Sequence, residues 1–206
     1  LRTYDVSSKR VLDAVDEVAR EHFLPASLSA LAYADQSHTV RAADGTERVL
    51  LLPMILARMI QAAEIEPGAR VLSVAGGTGY GAAVMAAMGA KVTLLESGEA
   101  LAGEARRALA AAGAEPVTVV AGSLADGYPA GAPYDVILVE GALELEPTGL
   151  LAQLSDGGCL IAVMGLGRAG RVTLFRRSGE SMGRRSVFDA ADVAPAPFRA
   201  PADFRF

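Results

Sequence analysis

Val11, Leu12, Val15 and Val18 recur at three- and four-residue intervals among charged positions, directly after Ser7 and Ser8. This spacing predicts an amphipathic helix over residues 8–22, started by a serine hydroxyl at its N-cap. The next stretch, FLPASLSALAYADQSHTVRAADGTE (23–47), holds no sustained period and is punctuated by Pro, Ser, Asp and Gly. With Asp44-Gly45 as its only tight-turn signal, it reads as a long ordered loop containing about one helical turn. Pro53 suits the first turn of a helix running to about Ala63, and Pro67-Gly68 then forces a turn.

From there the period alternates. VLSVA (71–75) leads to a helix ending near Met88, VTLLE (92–96) to a helix over 99–112 closed by Gly113, and VTVVA (117–121) follows. YDVILVE (134–140), a short helix after Pro147, CLIAVM (159–164) and RVTLFRR (171–177) complete the series. Apolar strands alternating with helices predict an α/β fold with a doubly wound, mostly parallel sheet covered on both faces. The arginine pairs at 176/177 and 184/185 are expected to flank a late surface hairpin. Phe198, Phe204 and Phe206, spaced by prolines, suit an extended tail packed on its own domain. Without an internal repeat or a shift in composition, the chain reads as one domain over 1–206: an N-terminal helical lid (1–66) and a Rossmann-like core (67–206).

The 206 residues are 51% hydrophobic with a formal net charge of −5. That balance argues against nucleic acid or an anionic membrane as partner, since phosphate binding draws on excess Lys and Arg. Small molecules, proteins or peptides are the expected partners. Cys159 is the single cysteine and there are two histidines, too few for a zinc pattern, so a metal-free, cytoplasmic protein is expected. The most apolar stretch, near 49–60, is broken by Pro53 and Arg58, and no signal peptide is visible. The chain starts at Leu1 without a methionine, so part of a natural N-terminus is expected to precede it.

In doubly wound sheets ligands bind beyond the carboxyl ends of the strands, where glycines let the backbone approach them. Gly76, Gly77, Gly79 and Gly81 stand at that position, and Glu96 ends the next strand, where a carboxylate accepts ribose hydroxyl protons. This is a nucleoside-binding arrangement. It leaves S-adenosylmethionine and a nicotinamide dinucleotide both open, because Gly77, Gly79 and Ala82 satisfy the loose dinucleotide fingerprint. The plain alternative is that the glycines serve only turning and packing. About seventy residues before the first strand, a helical lid's worth, favour a methyltransferase core.

Several blocks, in order, resemble the protein-L-isoaspartate O-methyltransferase family, in particular a bacterial subgroup described as isoaspartate-methyltransferase-like. They are RVLDAVDEVAREHFLPASLSALAYAD, EIEPGARVLSVAGGTGYGAAVMA, GYPAGAPYDVILVEGA and LLAQLSDGGCLIAVMG, and together they cover nearly the whole chain. The resemblance implies a class I methyltransferase fold, S-adenosylmethionine as methyl donor with S-adenosylhomocysteine as product, and, for the typical member, methylation of an isoaspartyl carboxylate. In-line methyl transfer relies on positioning more than on acid or base help.

The resemblance also marks departures. The family's acid two positions before the first motif glycine, linked with the methionine amine, is Ser73, and that glycine is Ala75. Gly76, Gly77 and Gly79 remain, and Glu96 with Ser97 matches the ribose end. The family's Gly-Asp-Gly, whose Asp meets the adenine, reads Gly122, Ser123, Leu124. Its Thr-Ile-Ser-x-Pro, whose Ser is tied to catalysis, reads Val49, Leu50, Leu51, Leu52, Pro53. The loop after the fourth strand reads Glu140, Gly141, Ala142, Leu143, Glu144, and carboxylates there would repel an acidic acceptor unless protonated or paired. An altered acceptor is therefore expected. The other readings are a catalytically silent relative that binds partners through its tail or the Leu50 to Leu52 run, and a nicotinamide oxidoreductase.

Glu140 is the candidate catalytic group, with a solvated strand-end acid as the plain alternative. Asp35, Ser37, His38 and Thr39 cluster in the polar loop, either facing a pocket or forming turns. His22 reads as a cation at a helix C-terminus, and Cys159 as a small buried residue.

Overall fold

The computed structural model describes residues 5–114, 116–191, 193, 194 and 196. The N-terminal helix α1 (Lys9–Glu17) begins where Ser8 accepts from the Val11 N–H. It is shorter than the sequence pattern predicts: the backbone turns extended at Val18 and resumes as a 3-10 turn over Arg20–Phe23. His22 therefore lies outside the helix, exposed, rather than at its C-terminus.

The expected loop over 23–47 holds more structure than its composition announces. A 3-10 segment (Ala26–Leu31) leads to a β-hairpin of β1 (His38–Arg41) and β2 (Glu47–Leu50). Asp44-Gly45 makes its turn: Gly45, in left-handed backbone, donates to the Ala42 carbonyl, and the Asp44 carboxylate accepts from the Thr46 N–H at 2.9 Å. His38 and Val40 face inward from one strand, Arg48 and Leu50 from the other, with Val40 paired to Arg48. Helix α2 (Pro53–Ala62) follows with proline in its first turn and no side-chain cap.

The main sheet has seven strands in the order β5-β4-β3-β6-β7-β8-β9. These are β3 (Arg70–Val74), β4 (Lys91–Glu96), β5 (Thr118–Ala121), β6 (Tyr134–Leu143), β7 (Leu154–Met164), β8 (Arg171–Ser178) and β9 (Ser181–Asp189). Five run parallel, and β8 and β9 continue antiparallel as the late hairpin. Helices α3 (Tyr80–Ala87), α4 (Glu99–Ala111) and α5 (Thr148–Leu151) connect the strands. One core cluster joins α1 to α4 with strand residues such as Val71, Leu94 and Ile161. A second joins Leu72, Leu95, Ile137 and Leu160 to α5, and a small third one gathers Leu24, Ala32, Val40 and Leu50. Neighbouring residues of the main sheet divide between the first two clusters because successive side chains point to opposite faces. The phenylalanine tail lies outside the described residues.

Chain order reverses at β3, which has β4 on one side and β6 on the other. In an open α/β sheet, this is where a crevice forms beyond the strand ends. The glycine turn follows β3 there, and Glu96 stands at the end of β4 beside it.

Candidate functional site

The turn from β3 into α3 is a run of left-handed residues. Ala75 (φ 60°), Gly77 (φ 62°) and Gly79 (φ 95°) all take positive φ, and Gly79 caps α3. Ala75 thus holds a backbone conformation suited to glycine, a choice that costs a non-glycine residue about 1 kcal/mol. Gly81, inside α3, and Gly76 have their missing side chains replaced by other groups. A Cβ on Gly76 would stand 2.8 Å from a Glu140 oxygen, and one on Gly81 would strike the same carboxylate.

Glu96, at the end of β4, is fully buried and its carboxylate is already engaged. Its Oε1 accepts from the Gly77 N–H at 2.7 Å. Its Oε2 accepts from Nε and Nη2 of Arg48 at 3.1 and 2.9 Å and from the Ser97 N–H at 3.1 Å. Arg48 also reaches the Ser97 hydroxyl at 2.6 Å. Burial raises the Glu96 pKa, and the adjacent guanidinium and N–H donors oppose that rise. Arg48 itself is only 5% exposed. The hairpin that brings it also lays Leu50, 2.8 Å from where a Gly77 Cβ would be, and Val40 over the turn.

Glu140 is placed by an irregularity in β6. Pairing to β7 jumps from Leu138↔Ile161 to Ala142↔Val163, so Val139, Glu140 and Gly141 on one strand oppose Ala162 alone on the other. A bulge of this kind re-aims a side chain. The carboxylate lands under the start of α3, where Ser73 donates to it at 3.2 Å. Burial pushes its pKa up to about 7; the Ser73 hydrogen bond and Arg20 pull it down, and the Glu96 charge pushes it further up.

Arg20 is 1% exposed and lies with its guanidinium carbon 4.7 Å from the centre of the Tyr80 ring. Its Nη2 donates to the Leu51 carbonyl at 2.9 Å, while Nε and Nη1 have no partner. Burial lowers its pKa, with Tyr80 and Glu140 acting the other way. A buried donor left unpaired costs about 1–3 kcal/mol, and an arginine stacked on a ring recovers about 1–2.

The remaining predicted residues divide. Ser97 joins the Glu96 network. Ser123 is exposed, its hydroxyl accepting from Asp126, and Leu124 is buried in the core. Leu51 is buried, Val49 half-buried, and no hydroxyl stands at either position. Asp35 lines a cavity with Arg20; Ser37 and Thr39 are exposed strand-side residues. His38 is buried with its ring nitrogen 3.0 Å from the Leu31 carbonyl. Glu144 is exposed. Cys159 is buried, which pushes its thiol up to about 11. Sequence reasoning missed Arg48 and Arg20. The available signal for Arg48 was the Asp44-Gly45 turn, which sets the segments on either side of it as a hairpin; Arg20 offered none, since a charged residue near a helix end ordinarily reads as surface.

The seven-stranded, mostly parallel sheet with the glycine turn and strand-end acid at its switch point is, by the solved structures it superposes on, a class I methyltransferase fold. The chain belongs to the Protein-L-isoaspartate(D-aspartate) O-methyltransferase family, which matches residues 1–193. A protein-L-isoaspartate O-methyltransferase of Methylorubrum populi is 41% identical over 91% of this chain and 84% of its own. One of Roseiflexus castenholzii is 37% identical over the same shares. Among solved structures, a protein-L-isoaspartate O-methyltransferase superposes with TM-score 0.83 at 26% identity, over 95% of this chain but 63% of that one. A putative Plasmodium falciparum member, in complex with S-adenosyl-L-homocysteine, shares the fold with TM-score 0.79 at 16% identity, over 95% and 93%.

The family consists of S-adenosylmethionine-dependent O-methyltransferases. Tested against that cofactor, the donor types are present in the Glu96 carboxylate and the Gly77 N–H. Both are engaged within the protein: Arg48 holds Oε2 of Glu96, Oε1 accepts from the Gly77 N–H, and Leu50 and Val40 lie over the glycine turn. For Oε2 of Glu96 to accept from a ligand instead, the β1–β2 hairpin would give up its Arg48 contact.

Proposed function

We propose that this chain is an S-adenosylmethionine-dependent O-methyltransferase, a single domain over 1–206, whose protein or peptide acceptor differs from the isoaspartyl group of its relatives. The carrying observation is Leu51. It stands where the family places its catalytic serine, it is 2% exposed, and its carbonyl is bound by Arg20. With Val49 beside it, the hydroxyl pair that would orient an isoaspartyl carboxylate is absent. The negative net charge supports a protein or peptide over a nucleic acid. A cytoplasmic setting belongs to the same proposal. Among the described residues no helix is long and apolar enough to cross a membrane.

A second reading, a silent binding module, is favoured by one observation: the Arg48–Glu96 pair occupies the ribose-binding carboxylate. Titration with S-adenosylhomocysteine separates the two. Binding at micromolar concentration, together with labelled methyl transfer to proteins of a lysate but not to an isoaspartyl peptide, is the expected result. Absence of binding at millimolar ligand leaves the silent reading, and turnover of the isoaspartyl peptide refutes the altered acceptor.

A further inference from the structure

A cavity of about 390 Å³ opens beside Leu51, lined by Val15, Asp16, Arg20, Tyr33, Asp35, Pro53, Met54 and Tyr80. Two independent features there favour an anion. The first is the start of α2, a ten-residue helix whose first turn contributes Pro53 and Met54 and has no side-chain cap, so its N–H groups present partial positive charge. The second is Arg20, buried at 1% exposure with Nε and Nη1 unpaired, a full charge whose remaining donors are unused. Its position is set from both sides, by the Leu51 carbonyl and the Tyr80 ring, and Tyr80 packs edge-on against Phe23 at 5.6 Å between centroids. The guanidinium is therefore held in place before any ligand arrives.

Asp16 and Asp35 give the mouth of the same cavity the opposite sign, and both are exposed. A ligand matching the whole cavity carries an anionic group for the floor and cationic groups for the rim. We propose that Arg20 and the first turn of α2 hold the carboxylate of the acceptor, and that the acceptor is a peptide in which this carboxylate has basic neighbours. The inference rests on the methyltransferase reading for the word acceptor, but the site itself does not depend on the cofactor. Arginine suits it better than lysine would, because its donors are fixed in a plane rather than gathered on a mobile, strongly hydrated point charge.

The test uses the full chain without cofactor and two hexapeptides, one with aspartate between two lysines and one with asparagine in its place. The aspartyl peptide is expected to bind at least tenfold tighter by calorimetry and to shift the Arg20 Nε–H resonance of nitrogen-15-labelled protein. Arg20→Met is expected to remove that preference and Arg20→Lys to retain part of it. The double variant Asp16→Asn with Asp35→Asn is expected to keep the aspartate preference and lose the advantage of lysine over glutamine flanks. Equal binding of the two peptides, no binding at millimolar concentration, or an unmoved Nε–H resonance overturns the proposal. The resonance is read on unaltered protein, so it remains decisive even if Arg20→Met does not fold. Arg20-dependent peptide binding without any S-adenosylhomocysteine binding supports this site and refutes the enzyme reading. Methyl transfer undiminished in Arg20→Met does the reverse.

Discussion

Ala75 stands at φ 60°, in a turn where only glycine is unstrained. The added methyl group does not change the path of the backbone: its N–H still donates to the Leu95 carbonyl at 3.1 Å. Ala75→Gly is expected to stabilise the fold by about 1 kcal/mol, less the greater freedom glycine gains when unfolded, and thermal melting will show the sign. Glu140 is a different kind of strain. Its folded pKa is about 7 against an ordinary 4.5, because it is buried with only the Ser73 hydroxyl as donor. The folded state thus binds its proton more tightly than the unfolded state does. The group's contribution is most favourable below the ordinary carboxylate range, declines as pH rises towards 7, and is level above that. Glu140→Gln should therefore raise the unfolding free energy by about 3 kcal/mol at pH 8 and change it little at pH 4, measurable by urea unfolding at both. A stability gain equal at the two pH values would contradict the raised pKa.

The β1–β2 hairpin determines what the glycine turn can do. Two four-residue strands have little stability of their own, and this pair holds to the core through Leu50, Val40 and the buried Arg48–Glu96 ion pair. Removing one partner of such a pair leaves a buried charge uncompensated. Arg48→Ala is expected to lower stability by about 3 kcal/mol or more, and at the same time to tighten S-adenosylhomocysteine binding roughly tenfold, because the carboxylate loses its internal competitor. Calorimetry alongside denaturation reads both effects. Weaker binding in Arg48→Ala would mean that the guanidinium contacts the ligand rather than competing with it. The hairpin was only partly legible. Asp44-Gly45 announced a turn, but β1 carries a single strong apolar residue, Val40, and an inward-facing Arg48 breaks the alternation that identifies a half-buried strand.

At the scale of the whole molecule, the site is an agreement between segments distant in sequence. Arg20, Arg48, the 75–81 turn, Glu96 and Glu140 meet only because β3 is flanked by β4 and β6 and the N-terminal segment folds across their ends. If the ligand site and the hairpin exclude each other, S-adenosylhomocysteine should release amide exchange in residues 38–50 while protecting Gly77 and the start of α3. Added protection of the hairpin would show instead that it closes over the ligand. The strands from β3 to β8, the helices between them and the glycine turn were readable from residue order, because period and turn chemistry are local properties and the central strands' apolar runs go with burial on both faces; β9, exposed along most of its length, carries no such run and was signalled only as part of a late hairpin. Glu96 was readable as an acid at a strand end. The partner of that acid was not readable. Whether a carboxylate awaits a ribose or is already paired depends on which distant side chain the fold delivers to it, and a buried arginine has the same letter as an exposed one. Residue order alone specified the architecture and the family. Folding in three dimensions decided that Arg48 occupies Glu96, that Glu140 lies under α3 rather than in solvent, and that Arg20 keeps two donors free, because those pairings arise from long-range packing with no local pattern.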